Sequence, residues 1–138
     1  MTIQKMLLRT AALVLAPLAT GACATYPSDA PIVAEPVGSF VAIDQPVLVN
    51  EDFVLTAKAV YEDSRCPTGV QCVWGGRVVV TTQIDAPSWR ETVNLVSGER
   101  QTVRGHDFLL IEVLPARRPQ DGIPMQDYRF RYTMDYHL

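Results

Sequence analysis

Toward its C-terminal side the chain reads DYRFRYTMDYH, in which Tyr128, Phe130, Tyr132, Met134 and Tyr136 alternate with Asp127, Arg129, Arg131, Thr133, Asp135 and His137. A period of two sends successive side chains to opposite faces, so this segment reads as a half-buried strand and not as a helix, whose apolar positions recur every three to four residues. The same alternation runs through FVLTAKAVYE, with Phe53, Leu55, Ala57, Ala59 and Tyr61 on one face and Thr56, Lys58 and Glu62 on the other. Further strands are expected over 46–50, 73–84, 89–96, 101–104 and 107–114, separated by the turn signals DAPS, SGE and RGHD. No segment carries a helical stripe. Six to eight short antiparallel strands are stable only when two inner faces bury each other. The expected fold is therefore all-β: an immunoglobulin-like sandwich or, as the alternative, a small and partly open Greek-key barrel.

The other end of the chain has a different character. Residues 1–22 carry Lys5 and Arg9, no acidic residue, an apolar run over 11–19 and small residues ahead of Cys23. That is the make-up of a secretory leader, and the run, with Pro17 inside it, falls short of the roughly 20 residues a spanning helix needs. The four residues TGAC, ending at Cys23, resemble a bacterial lipoprotein cleavage box, which implies that Cys23 becomes the acylated N-terminus. Thr20 stands where such boxes usually have leucine, which leaves ordinary cleavage and a secreted product as an alternative. Ala24, where an aspartate would imply retention in the inner membrane, implies the outer membrane facing the periplasm, with the inner membrane as the alternative. Residues 23–36, with three prolines between Ala24 and Pro36, read as an extended tether, and 37–138 as a single β domain.

Without residues 1–22 the 12 basic residues fall to 10 against 15 acidic ones, a net charge of 10 − 15 = −5. Nucleic acid is excluded as a partner, because phosphate recognition needs a concentrated basic surface. Anionic lipid would not attract such a chain electrostatically, so membrane attachment falls to the lipid on Cys23.

In an oxidising compartment the two remaining cysteines, Cys66 and Cys72, form the one intramolecular disulfide, with Pro67 and Gly69 between them suited to a tight reversal. Zinc is disfavoured, since two thiols with the distant His106 and His137 do not make a four-ligand set. A redox pair is disfavoured by the five intervening residues. No cofactor is expected.

The run DSRCPTGVQCVWGG, with the alternating strand before it and LLIEVLPARRP after it, resembles a family of small bacterial envelope proteins and lipoproteins marked by a D-S-R-C-P, cysteine, tryptophan, glycine signature. The similarity extends over about residues 47–136, with Gly75 where alanine is common. It implies an envelope location and assigns no activity. Within the signature, Trp74 is expected to pack into the core beside the disulfide, and Gly75 and Gly76, inside a strand, to mark a bulge or a close backbone approach.

Catalysis finds no constellation here. Neither histidine has a nucleophile motif nearby, and the adjacent carboxylates Glu51–Asp52 and Glu62–Asp63 point to opposite faces of their strands. The expectation is a non-enzymatic, lipid-anchored periplasmic module that binds an envelope protein or a cell-wall partner or serves a structural role. Its surface would be the loops 62–73 and 115–126, the second carrying Arg117 and Arg118 as a candidate carboxylate or phosphate site. Two alternatives stand beside it: a protease-inhibitor-like module, and a calcium-binding domain using Glu62, Asp63 and loop carbonyls.

Overall fold

The computed structural model describes residues 31–135; the leader, Cys23, the first part of the tether, Tyr136 and His137 lie outside the described residues. Seven strands follow in order: β1 Pro46–Leu48, β2 Val54–Asp63, β3 Val78–Asp85, β4 Arg90–Val96, β5 Arg100–Val103, β6 His106–Leu114 and β7 Arg129–Asp135, with one 3-10 turn at Met125–Asp127. They form two antiparallel sheets, β1-β2-β3-β4 and β5-β6-β7. The result is a sandwich and not a closed barrel. Neighbours in each sheet are neighbours in sequence, so the connections are meander hairpins and not the Greek-key crossovers of an immunoglobulin-like domain.

The alternation explains how the sheets meet. Tyr128, Phe130, Tyr132 and Met134 all point inward, joining Val41, Leu55, Val80, Ile84, Phe108 and Leu110 in one apolar cluster. Each large apolar side chain so buried contributes about 1.5–3 kcal/mol relative to exposure. Tyr132 carries a hydroxyl into this interior and meets Thr82 of β3 at 3.1 Å, a polar link between the two sheets. Burial drives the Tyr132 hydroxyl well above the ordinary phenol range.

Two short stitches close the flanks. Ser97 bridges Leu110, and Gly98 donates to the Leu110 carbonyl at 2.9 Å. On the other flank Glu35 pairs with β1 through Glu35 N–H to Pro46 O at 2.8 Å and Leu48 N–H to Glu35 O at 2.9 Å, and Val41 exchanges both backbone bonds with Phe130. The last residues of the segment read as tether are thus paired to the sheet edge at Glu35.

Strict alternation fails in β2, and the failure positions the loops. Phe53, Leu55 and Ala57 face the core, but register shifts fall between Ala57 and Ala59 and between Val60 and Glu62. An extra residue at a bulge reverses which parity points inward. After the first shift Val60 packs against the core and Tyr61, expected inside, is 70% exposed. The second shift restores the original parity, so that Glu62 faces outward and Asp63 is turned in.

Candidate functional site

The inward turn of Asp63 starts the site. Its carboxylate accepts Arg65 Nε at 2.9 Å on Oδ1 and Arg65 Nη2 at 2.7 Å on Oδ2, a bidentate pair, and Oδ2 also accepts the Tyr128 hydroxyl at 2.8 Å. Arg65 Nη1 in turn donates to the Pro115 carbonyl at 2.7 Å. Burial alone would raise the Asp63 carboxyl, but the hydrogen bonds from Arg65 and Tyr128 outweigh it and hold the group below the usual carboxylate range. Burial, then the hydrogen bond to Asp63 and its charge, push Tyr128 up to about 12.

One residue on, Ser64 pins the return strand. Its N–H donates to Arg77 O at 2.9 Å, its hydroxyl accepts Arg77 N–H at 3.0 Å and donates to Glu62 Oε1 at 2.8 Å. Glu62 is also paired with Arg77 at 3.3 Å, and its carboxyl is lowered first by the Ser64 hydrogen bond and then by Arg77. Gly76 makes this possible. It sits at φ +65°, and a Cβ there would lie 1.8 Å from the Ser64 carbonyl oxygen. Gly75 shows no such approach.

Beyond Arg65 the chain closes on itself through the Cys66–Cys72 disulfide, with the two Cα atoms 5.8 Å apart. A turn inside it is closed by Val70 N–H to Pro67 O at 3.2 Å with Gly69 at φ +80°. The loop then docks on the second loop. Thr68 N–H and its hydroxyl donate to Arg118 O at 2.8 and 3.2 Å, and Gln120 Nε2 donates to Thr68 O at 3.3 Å. The two loops expected to present a surface are therefore one clasped unit.

Several expectations need correction. Trp74 does not pack into the core: it is 84% exposed, and its neighbour Val73 is 91% exposed. The reason is local. β3 begins only at Val78, so Val73, Trp74, Gly75 and Gly76 belong to the loop and not to a strand, and the Gly76 approach carries the chain over Ser64 instead of into the sheets. The calcium reading of Glu62 and Asp63 meets carboxylates turned to opposite sides and each held by its own arginine, so a cation would have to displace Arg77 or Arg65. Among the described residues, no group of three or more His, Cys, Asp or Glu side chains is arranged to hold a metal. Arg118 contributes its carbonyl to the clasp while its side chain is half-buried, and Arg117 is exposed.

The other candidate chemistry stays dispersed. His106 packs on the Phe53 ring at 4.7 Å. Glu51 and Asp52 sit on an open cleft of about 580 Å³ walled by Val49 and Met134. Among the described residues no helix is long and apolar enough to cross a membrane. What sequence reasoning missed is the Tyr128 link to Asp63, 65 residues away, for which local spacing carries no signal. No family model matches the chain, and neither a curated protein nor a solved structure does.

Proposed function

We propose that the chain is a lipid-anchored module of the bacterial envelope, held at the outer membrane facing the periplasm through Cys23, and that it works by binding and not by catalysis. Its working surface is the clasped loop pair. The observation that carries this reading is the contrast between an apolar tip left in water, Val73 and Trp74, and the ion pairs, disulfide and inter-loop hydrogen bonds that hold the tip's base in one shape. A large exposed aromatic on a stiff loop is costly to solubility and pre-organised for association, since little further ordering is needed on binding. The composition of the leader and the cleavage box support the anchoring.

The test is a photo-crosslinking residue placed at position 74 of the full chain expressed in its own envelope. Adducts from position 74, absent when the same group is placed at exposed Asn94 on β4, are the expected result. Equal labelling from both positions would remove the loop pair as the binding surface. The same stiff, exposed loop also suits a protease-inhibitor-like module, and stoichiometric loss of periplasmic protease activity on adding the protein would favour that second reading.

A further inference from the structure

We infer that the partner of the tip is the lipid surface itself: Val70, Val73 and Trp74 seat in the interfacial layer of the bilayer to which the chain is anchored. The inference rests on the anchored reading above. From Cys66 to Gly76 the sequence CPTGVQCVWGG contains no charged residue, in a chain that has 15 acidic and 12 basic ones. Arg65 and Arg77 bracket it. Every residue from Thr68 to Arg77 is exposed, so this uncharged run is open to its surroundings, with Val70 at 48% exposure in addition to Val73 and Trp74.

The chemistry of the run fits lipid better than a protein pocket. An indole places an apolar body and one N–H donor where hydrocarbon meets headgroups, and the exposed Arg77 can lay its stem along apolar surface while its guanidinium group stays in water. Of the neighbouring carboxylates, Glu62 is paired with Arg77 and Asp63 with Arg65, and Glu99 lies on the Gly75–Gly76 side of the loop, next to Arg77. The loop backbone away from the Pro67–Val70 turn and the Thr68–Arg118 contact lacks the internal pairing that hydrocarbon demands, so seating stops at the interface. Cys23 and Glu35 are twelve peptide steps apart, and Glu35 is the first of the described residues paired to the sheet. At about 3.3–3.6 Å each the steps reach about 40 Å, enough to let the domain lie against the bilayer. Each apolar side chain moved out of water favours the seated state by about tenfold.

The test uses the mature lipidated protein in phosphatidylethanolamine–phosphatidylcholine vesicles with brominated acyl chains, in a Trp89→Phe background that leaves Trp74 as the single tryptophan of the two. Trp74 emission is expected to move to shorter wavelength and to be quenched by bromines near the headgroups. Val73→Asp, which puts a carboxylate on the tip and touches no buried group, is expected to abolish the quenching with the far-ultraviolet spectrum unchanged. Protein that floats with the vesicles while Trp74 stays open to aqueous iodide overturns the seating and leaves the anchoring intact. Shielding that appears only after envelope proteins are added also overturns it, in favour of a protein partner. Protein that does not float with the vesicles removes the anchoring and the seating together.

Discussion

Replacing Gly76 by alanine separates a backbone requirement from a merely flexible loop. The new Cβ would lie 1.8 Å from Ser64 O, 2.4 Å from Ser64 C and 2.8 Å from Arg65 Cα, and none of these is a side chain that can swing away. Holding a non-glycine residue at φ +65° costs about 1–2 kcal/mol on its own. Relieving the clash means moving Arg77 away from Ser64, which loses Ser64 N–H to Arg77 O and Arg77 N–H to Ser64 Oγ at about 1 kcal/mol each. The sum is on the order of 3–4 kcal/mol, a large part of the roughly 5–15 kcal/mol that holds a domain of this size. Thermal unfolding followed by circular dichroism should show the midpoint falling by on the order of 10–20 °C. Gly75→Ala is the control, because its Cβ meets nothing within 4 Å and its φ lies outside the left-handed range, so its effect should stay within about 0.5 kcal/mol. Equal midpoints for the two variants would refute the account of how the loop crosses Ser64.

Other outcomes follow from the same contacts. Trp74→Ala should leave stability within about 0.5 kcal/mol of the parent, where a core tryptophan would cost about 3–5 kcal/mol, and denaturant titration distinguishes the two. Asp63 has a folded pKa below its unfolded value near 3.9, so its contribution is complete above that pH and is lost as acid takes the pH through the lower folded value. Tyr128 runs the opposite way: raised from 10.0 to about 12, it contributes fully below pH 10 and loses that contribution between about 10 and 12. Tyr128→Phe should therefore flatten the alkaline limb of the stability–pH curve, and an unchanged limb would remove the burial of the Tyr128 hydroxyl against Asp63 from the account. Replacing both Cys66 and Cys72 by serine opens a short loop and should cost about 2 kcal/mol in chemical denaturation, with β3 hydrogen exchange less affected than the loop. Tyr132→Phe should cost about 1 kcal/mol, because Thr82 keeps only its bond to Val80 O.

The strands were legible because one chemical property, side-chain polarity, repeats at the period of the pleat; β7 needed nothing else. β2 was legible only as far as Ala57. Each bulge adds one residue without changing composition, so the sequence offers no local sign that Tyr61 leaves the core and Asp63 enters it. The disulfide could be read from two cysteines six positions apart with Pro67 and Gly69 between them. The position of Trp74 could not, because an aromatic beside a cysteine suits a core as well as a surface, and the deciding contact is between the backbone of Gly76 and that of Ser64. Two adjacent glycines were a signal that the strand starts later than Val73. The joining of the two loops depends on Thr68 meeting Arg118, 50 residues apart, a pairing set by the meander and not by either segment.

The short segment from Glu35 to Val41 touches both sheets, at β1 through Glu35 and at β7 through Val41. Among the described residues, a pull transmitted along the chain from its N-terminal side meets the two Glu35 hydrogen bonds before the load passes to the Val41–Phe130 pair. A domain tied to a moving surface would yield in that order, paying out a few residues of slack before its interior feels tension.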